Sequence, residues 1–549
     1  MSSRRYSLGL DFGTSGVRAL IVDASDGREL GVGVSAYAHG EDGVLLDPRD
    51  PNLARQHPAD YHASMEAAIA EALAQAGEID RLKIVGIGVD ATGSTPIPVN
   101  REGTPLGLLP EFEGNLDAMA WLWKDHTAAA EAEEITALGV DWPYLQPIGG
   151  RYSSEWFWSK ILRCARTAPE VFGAAYSWVE FADYMPAFLS GNTEPLTLKR
   201  GVCAAGHKAL FREEWGGLPD ERFLSCLHPR LAELRGRLFS ETCASDQVAG
   251  YLSPDLAERY GLPAGIPIAV GAIDAHMGAV GAGIAPGTLV KIMGTSTCDI
   301  MVGAPGQAVP DIPGVCGVVY GSVIPGFYGV EAGQPAVGDL FNWVTRLTGQ
   351  RHDVLNAEAQ RLAPGESGLL SLDWNNGNRS VLVDANLTGL IVGQTLNTTP
   401  AEIYRAAIEA TAFGSLTIIR RIEECGVKVD RIINCGGIAE KSPLTMQIYS
   451  DVTNRPMYIS RSSQTPALGA AMFGAVIGGV YKTVDEAAKK MAGLRDRSYQ
   501  PNPDAVKVYA ELYSLYEQLA DAFGGVRQSS MGDVMKKLIA IRDRVRGLN

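Results

Sequence analysis

The sequence predicts a mixed α/β protein whose two halves share a cleft. At 549 residues the chain is too long for one hydrophobic core. The stretch LGLDFGTSGVRALIVD at residues 8–23 combines an apolar strand, a Gly-Thr-Ser turn and a second strand, and the pattern returns as LVKIMGTSTCDIMVGA at residues 289–304. No low-complexity linker interrupts the chain. We therefore expect two domains, residues 1–285 and 286–549.

Composition and charge narrow the class of protein. The chain is 46% apolar and 20% charged and has 62 glycines, which is typical of a globular enzyme and lacks the polar bias of disorder. The 63 Asp and Glu residues outnumber the 48 Lys and Arg residues, giving a net charge of −15. This balance argues against nucleic acid or an anionic membrane as a partner, but it allows a phosphate site built from backbone amides.

Cysteine use and hydropathy predict a cytoplasmic location. The eight cysteines form no CxxC pair, so neither a zinc knuckle nor a disulfide framework is expected. The opening residues reach Asp11 before any apolar stretch long enough for a signal peptide. The longest apolar run, PALGAAMFGAVIGGVY at residues 466–481, is too short and glycine-rich for a membrane span, so we predict a buried helix there.

The first half alternates strands and helices before its pattern weakens. A glycine-rich turn within residues 8–22 predicts a β-hairpin. Residues 58–77 have apolar side chains at helical spacing and end on glycine, whereas KIVGIGVDATG at residues 83–93 predicts a strand. Residues 110–265 are richer in Trp, Pro and charge, as expected of an insertion that carries substrate contacts on loops.

The second half resumes the same rhythm. Residues 265–283 predict a strand, a turn and a helix, and the repeated hairpin pattern follows them. A helix is predicted over residues 400–426 and a strand over residues 430–437. The segments 501–525 and 531–547 predict two amphipathic helices.

The two glycine-rich turns are candidate phosphate-binding loops. A tight turn directs backbone N–H groups into one concave space, and a Thr or Ser hydroxyl there adds a donor. Each turn alone is more often an ordinary hairpin, but two of them, with Gly294-Thr295-Ser296 in the second, suit a nucleotide polyphosphate. Asp11 at the first turn can hold Mg²⁺ through water molecules. Because the second copy has no such acid, we place the metal beside the first.

Two further motifs carry possible chemistry. The Gly436-Gly437 turn follows an apolar strand and lets a flat ring or a ribose approach the backbone, although such a turn alone is often structural. Asp274 follows another apolar strand and is either a helix cap or the group that takes a hydroxyl proton beside a nucleotide. His276 has no partner motif, so we expect it to be structural.

Five stretches, in their order along the chain, resemble the FGGY carbohydrate kinase family of the actin-like ATPase superfamily. They are LDFGTSGVRA, VGIGVDATG, VGAIDAH, MGTST and NCGG. Residues 389–409 match the family's C-terminal signature except at Gln394, and SSEWFWSKILR has Glu155 where most members carry Lys. The resemblance covers about residues 6–500. It implies two actin-like (ribonuclease H-like) ATPase domains, each with a five-stranded mixed sheet, around a central cleft.

Four more stretches, LWKDH, CAAGHKALF, EAGQPAVGD and LDWNNGNRS, are similar to family members that phosphorylate L-ribulose. The resemblance implies that one residue set lines the ketopentose site, namely Gly93, Trp123, Lys208, Asp274 and Glu331. Lys208 and Glu331 can bracket sugar hydroxyls, and Trp123 offers an apolar face to C–H groups. Taken singly, each is more often a core or surface residue.

The resemblance also assigns roles around the nucleotide. Asp274 is the implied catalytic base, and Asp11 and Asp274 flank the implied Mg²⁺. The implied ATP contacts are the phosphate-loop positions Gly13, Thr14, Gly294 and Thr295 and the adenosine-flanking positions Gly436, Gly437 and Lys441. The turn GGIAEKSPL around Lys441 departs from the GGLPQKN pattern of similar enzymes.

The implied function is ATP-dependent phosphorylation of L-ribulose to L-ribulose 5-phosphate in arabinose catabolism. The expected partners are then the sugar and ATP, with no nucleic acid or membrane partner. Formation of a homodimer is left as an alternative. One alternative is another kinase of the family acting on D-ribulose, xylulose, ribitol or glycerol. The other is a non-catalytic actin-like ATP-binding protein, against which Asp274 and the C-terminal signature argue.

Overall fold

The computed structural model describes residues 4–528 and 531–547 and contains two large mixed sheets. In sheet order the first contains Val248–Tyr251, Pro267–Ala269, Ile84–Ala91, Tyr6–Phe12, Gly16–Asp23 and Glu29–Ala36, with Ala272–Ile273 also paired to Ile84–Ala91. The second contains Gly317–Tyr320, Tyr328–Ala332, Thr297–Val302, Thr288–Met293, Arg431–Cys435, Met457–Ser460 and Leu494–Tyr499. The two-sheet α/β architecture is confirmed.

The expected count of five strands in each sheet is wrong, because each sheet has seven. The additional strands are short or lie at sheet edges, where apolar alternation is weak. Leu494–Tyr499 reads LRDRSY and is exposed at five of its six positions, so its sequence does not resemble a buried strand. Smaller sheets pair Leu370–Leu372 with Leu390–Val392, Pro96–Val99 with Ser177–Glu180, and Asp50–Gln56 with Leu45–Asp47 and Ala120–Trp121.

The repeated glycine-turn stretch forms the same hairpin in both halves. Tyr6–Phe12 pairs antiparallel with Gly16–Asp23 and parallel with Ile84–Ala91. In the second half the corresponding strands are Thr288–Met293, Thr297–Val302 and Arg431–Cys435. The predicted hairpins are therefore confirmed, and both turns lie at the same end of equivalent strands.

Helices connect many of the strands in both halves. In the first half they are Pro58–Ala76, Ala129–Gly139, Phe157–Thr167, Pro169–Ala174, Phe181–Ser190, Val202–Lys208, Glu221–Leu227, Pro229–Arg235, Pro254–Tyr260 and Asp274–Gly281. In the second half they are Gly338–Thr348, His352–Ala359, Pro400–Glu424, Gly437–Lys441, Pro443–Thr453, Thr465–Ile477, Val484–Met491, Pro503–Phe523 and Val534–Val545. Short 3₁₀ turns lie at Arg81–Lys83, Leu106–Leu108, Pro110–Phe112, Leu116–Ala118, Gln146–Ile148 and Glu213–Trp215.

Local chemistry explains the long helices. Pro58–Ala76 begins with proline at its first position and ends at Gly77, whose φ of 67° favours glycine. Pro400–Glu424 begins with a capping box, in which the Thr399 side chain and the Glu402 side chain each bind the other residue's backbone N–H. Both helices lie where the sequence predicts them.

The predicted insertion is more regular than expected. Residues 110–265 contain eight α-helices of six to eleven residues each, around an aromatic core that includes Trp121, Trp158 and Trp178. Helices of two or three turns show little periodicity, which accounts for the weak sequence pattern. The insertion is therefore rich in short helices, and the expectation that loops carry its substrate contacts stays a prediction.

Two crossing helices join the halves. Thr465–Ile477 is the predicted apolar helix, and it is buried against the first sheet although it belongs to the second half of the chain. A β-carbon at Gly88 would overlap the carbonyl oxygen of Ala470, so glycine is required for this close approach. Asp274–Gly281 crosses the same helix, with Gly281 against the backbone of Thr465. No helix in the described ranges has the length and apolar character needed to cross a bilayer.

Candidate active site

A cleft of about 530 Å³ is lined by residues from both halves. Part of its wall, including Thr14, Gly93, Asp274 and Gly294, follows the carboxyl ends of sheet strands, which is where α/β proteins bind ligands. Of the predicted site residues, the structure brings together at this cleft Thr14, Gly93, Trp123, Lys208, Asp274, Gly294, Thr295 and Glu331. The predicted residues outside its lining are Asp11, Gly13, Gly436, Gly437 and Lys441.

Lys208 and Glu331 form a buried ion pair across the two halves. The Lys208 Nζ atom donates to Glu331 Oε1 at 2.6 Å, and the two residues are only 4% and 8% exposed. Although burial alone raises the pKa of Glu331, Lys208 and the imidazoles of His207 and His276 hold it at about 2. Burial lowers the pKa of Lys208, but Glu331 reverses the effect and raises it. Both groups are therefore charged, and together they offer a donor and an acceptor to a sugar.

His276 lies in this cluster, where its imidazole is 3.7 Å from the second carboxylate oxygen of Glu331. His207 approaches the same oxygen at 3.4 Å, and both imidazoles are almost completely buried. The prediction that His276 is structural stays a prediction, but its imidazole lies against Glu331, which lines the cleft.

Trp123 and Gly93 form an adjoining wall. The Trp123 indole N–H donates to the Thr14 hydroxyl at 3.0 Å, which joins the implied sugar wall to the first glycine turn. A β-carbon at Gly93 would lie 2.7 Å from a side-chain carbon of Ile273, so this position has no room for one. The Lys160 ammonium donates to the carbonyl oxygens of Ser94 and Leu122, at 2.8 and 2.7 Å, and so ties together the segments that carry Gly93 and Trp123.

Asp274 begins a helix at the edge of the cleft. One carboxylate oxygen accepts the backbone N–H of Ala275 at 2.6 Å, and Ile273, not Asp274, is the capping residue. The alternative of a simple helix cap is therefore not supported. Burial and then the nearby Asp11 charge raise the pKa of Asp274 to about 7. A carboxylate with this pKa can accept a proton near neutral pH.

Asp11 has an acidic neighbour that the sequence analysis did not single out. Asp90, within VGIGVDATG, lies in register with Asp11 on the adjacent parallel strand and is fully buried. Within the described residues neither Asp90 carboxylate oxygen has a hydrogen-bond partner, whereas Asp11 has Arg18 at 3.4 Å. Burial, then Asp11 and Asp274, raise the pKa of Asp90 well above its usual range. Three acids thus cluster beside the first turn, and the orphaned oxygens of Asp90 fit a nearby cation.

The two glycine turns are closed by their own backbones. The Gly13 N–H donates to Gly16 O at 3.0 Å, and the Gly294 N–H donates to Ser296 O at 2.9 Å. These two glycine amides therefore shape the turns and are not free to hold a phosphate. Thr14 and Thr295, which follow them, line the cleft.

The Gly436-Gly437 turn lies beside the second glycine turn. Gly436 has a φ of 92°, and a β-carbon there would meet the carbonyl of Met293, the residue before Gly294. Gly437 begins the helix Gly437–Lys441 and has open space where a side chain would be. Lys441 is exposed at the end of that helix. The structure therefore brings Gly436 against the residue that precedes the second glycine turn.

Comparison with known proteins agrees with this architecture. The model of the N-terminal domain of the FGGY family of carbohydrate kinases matches residues 6–281, and that of the C-terminal domain matches residues 289–477. The chain belongs to the FGGY family of carbohydrate kinases. An FGGY kinase uses ATP to phosphorylate a sugar, so the chain is an ATP-dependent carbohydrate kinase, and the alternative of a non-catalytic ATP-binding protein is not retained.

Individual relatives of this FGGY chain are similar over nearly their whole length. A ribulokinase of Vibrio parahaemolyticus is 41% identical over 94% of this chain and 95% of its own. A ribulokinase of Shouchella clausii is 40% identical over 99% of both chains. Among solved structures, a xylulose kinase from Rhodospirillum rubrum has a TM-score of 0.77 at 24% identity, covering 95% of this chain and 99% of its own. At that identity the structural likeness establishes the FGGY kinase fold alone.

Proposed function

We propose that this kinase transfers the γ-phosphoryl group of ATP to the terminal 5-hydroxyl of a 2-ketopentose, with L-ribulose as the preferred substrate. The observation that carries the proposal is the buried Lys208–Glu331 pair in the same cleft as Asp274, because it places a charged donor and acceptor for sugar hydroxyls near a proton acceptor. Relatives described as ribulokinases, at about 40% identity over nearly the full chain, support the same substrate class.

In the proposed reaction Asp274 takes the proton of the 5-hydroxyl. The hydroxyl oxygen bonds to the γ-phosphorus as the bond from that phosphorus to the bridging oxygen breaks, and ADP leaves with the electron pair. Trp123 covers the C–H face of the sugar, and Lys208 and Glu331 fix its hydroxyls. Closure of the cleft would exclude water, which otherwise competes as the acceptor.

The nucleotide is proposed to lie along the glycine turns. Thr14 and Thr295 would face the phosphates, with Gly13 and Gly294 shaping the loops behind them. The remaining proposed contacts are those of the adenosine, at Gly436, Gly437 and the backbone near Lys441. This arrangement assigns the sugar mainly to residues 1–285 and the nucleotide mainly to residues 286–549.

A magnesium ion is proposed beside the first turn. Asp11 and Asp274 would flank it, and the unpartnered oxygens of Asp90 support a divalent cation at this place. When bound, Mg²⁺ would offset the negative charge of the phosphates. An arabinose-catabolic role, a cytoplasmic location and a homodimer stay predictions.

A panel of acceptors tests the proposal. L-ribulose, D-ribulose, D-xylulose, ribitol and glycerol are compared by coupled ADP release with saturating Mg²⁺-ATP. We expect the highest kcat/KM with L-ribulose, and the absence of activity with every ketopentose would refute the substrate class. Asp274→Asn is the matched variant, in which we expect kcat to fall by about 10²- to 10⁴-fold while ATP and sugar still bind. Near-normal turnover in this variant would refute the assigned base.

A further inference from the structure

A charged pair outside the proposed roles also spans the cleft. Arg379, on the LDWNNGNRS segment of the second half, donates to Glu155 Oε1 of the first half at 3.3 Å. Both residues line the same cleft as Lys208 and Asp274, and their side chains are 21% and 18% exposed. Glu155 is the position at which the sequence departs from the lysine of most family members. The pair thus combines two sequence features that the proposed reaction leaves unexplained.

The segment that carries Arg379 is held firmly in the second half. The neighbouring Ser380 hydroxyl accepts the backbone N–H of Gly333 at 3.2 Å, two residues after Glu331. At the start of the segment, the Asp373 carboxylate accepts from Gln334 at 2.7 Å and from the Tyr516 hydroxyl at 2.9 Å. Arg379 therefore projects from a fixed support, as a recognition group must.

Contacts locate the pair along the cleft. Glu331, which binds Lys208, lies 3.7 Å from the imidazole of His276, two residues after Asp274. The Lys208 Nζ atom lies 5.4 Å from the centre of the Trp156 ring, next to Glu155. The order is therefore Asp274, then Lys208 with Glu331, then Glu155 with Arg379. A sugar whose reacting hydroxyl meets Asp274 points its other end at the last pair.

The guanidinium retains donors for a ligand. Among the described residues, the bond to Glu155 is the only hydrogen bond that Arg379 donates, although a guanidinium carries five N–H groups. A largely enclosed guanidinium gains from oxygen acceptors, and a carboxylate beside it accepts hydroxyl protons. Together the guanidinium can donate to a carbonyl and the carboxylate can accept from an adjacent hydroxyl.

We infer that Glu155 and Arg379 are sugar-binding residues that recognise the C1 hydroxyl and C2 carbonyl of the ketose, at the end opposite the phosphorylated hydroxyl. This inference rests on the proposed ketopentose kinase function and adds the residues that select the length and keto end of the substrate. It also makes complete sugar binding depend on both halves, because the two residues come from opposite sides of the cleft.

The test combines substitutions with a modified sugar. Arg379→Met and Glu155→Gln are assayed with L-ribulose and with 1-deoxy-L-ribulose, which lacks the C1 hydroxyl. We expect the wild-type enzyme to prefer L-ribulose by about 10- to 100-fold in kcat/KM, the effect of a hydrogen bond to a charged group. Both variants should raise the KM for L-ribulose by a similar factor and lose most of this preference. Thermal unfolding and binding of an ATP analogue verify that the variants are folded.

Arg212→Met is the matched control. Arg212 is also 21% exposed and also joins the halves, through an ion pair of 2.7 Å to Asp311, but it does not line the cleft. It should leave the KM for L-ribulose and the preference over the deoxy sugar unchanged.

Two results would overturn the inference: an unchanged preference in Arg379→Met and Glu155→Gln, or an equal loss of sugar affinity in Arg212→Met. The second result would mean that removing any ion pair between the halves lowers sugar affinity in the same way. Failure of the proposed function is distinguishable, since it appears as absence of ketopentose phosphorylation by the wild-type enzyme.

Discussion

Replacing Lys208 by methionine isolates the energetic weight of the buried ion pair. The change keeps the apolar stem but removes the ammonium that lies 2.6 Å from Glu331. The pKa of Glu331 is lowered from 4.5 to about 2, which corresponds to about 3 kcal/mol at neutral pH. Because the folded-state pKa lies below the ordinary value, this stabilisation is present above pH 4.5 and is lost as the pH falls toward 2.

Burial opposes this pKa shift, and Lys208 is the largest of the groups that produce it. We therefore expect Lys208→Met to lower the free energy of unfolding at pH 7 by about 2–4 kcal/mol, close to the cost of breaking a buried pair. Equilibrium urea unfolding without ligand, followed by tryptophan fluorescence, measures the loss. Adding Glu331→Gln removes the uncompensated carboxylate and should restore at least half of it.

Lys507→Met is the control for loss of a lysine charge, because Lys507 pairs with Asp504 on the surface and its side chain is 74% exposed. A pair of this kind contributes about 0–1 kcal/mol. The reasoning is refuted if Lys208→Met unfolds at the wild-type urea concentration, or if the double variant loses the full sum of the two single losses.

Three other outcomes are expected. Asp274 must be deprotonated to act as a base, and its pKa is raised to about 7. Below that pH, kcat/KM for the sugar should therefore fall about tenfold for each pH unit, and a value independent of pH would contradict the assigned role. Asp11→Asn should raise the Mg²⁺ concentration for half-maximal activity by about 10- to 100-fold at fixed ATP, whereas an unchanged Mg²⁺ titration would exclude its metal role. Gly88→Ala should lower the free energy of unfolding by about 1–3 kcal/mol or more, because the added methyl group would press against Ala470. The loss is measured as a lower Tm, and a wild-type Tm would show that this contact is not tight.

The sequence carries much of the local structure because hairpins and long helices depend on nearby residues. The glycine turns, the capping box at Thr399 and the glycine after Pro58–Ala76 are local signals, and the structure agrees with each. The apolar helix Thr465–Ile477 was predictable as buried, but its packing on the first sheet was not. That contact depends on glycines such as Gly88, nearly four hundred residues away in the chain, and no local pattern indicates the pairing.

The site was predictable only through resemblance, for a physical reason. Lys208 and Glu331 are 123 positions apart, and each alone resembles a surface charge. Their proposed role depends on the fold, which buries both side chains and brings them into contact. Arg379 and Glu155 are separated even further, by 224 positions. Composition and spacing cannot show that charges so distant in sequence compensate each other in one cleft.

The difference between the two repeated turns is decided by strand register. In the first half Asp11 lies beside Asp90, and Ala272, two residues before Asp274, pairs with Asp90 from another parallel strand. Three adjacent strands thus deliver three acids to one point. In the second half the corresponding neighbours are Ile292 and Cys435, which carry no charge at neutral pH.

A duplicated scaffold therefore provides two similar turns, which we propose contact the phosphates, and places an acidic cluster beside the first of them. The proposed cation and the proposed base both belong to the first sheet for this reason. The phosphoryl group would then move toward the half that carries the negative charge, and the proposed cation would offset that charge. Such a cation would also offset the repulsion between the carboxylates of Asp11 and Asp90, which are buried side by side.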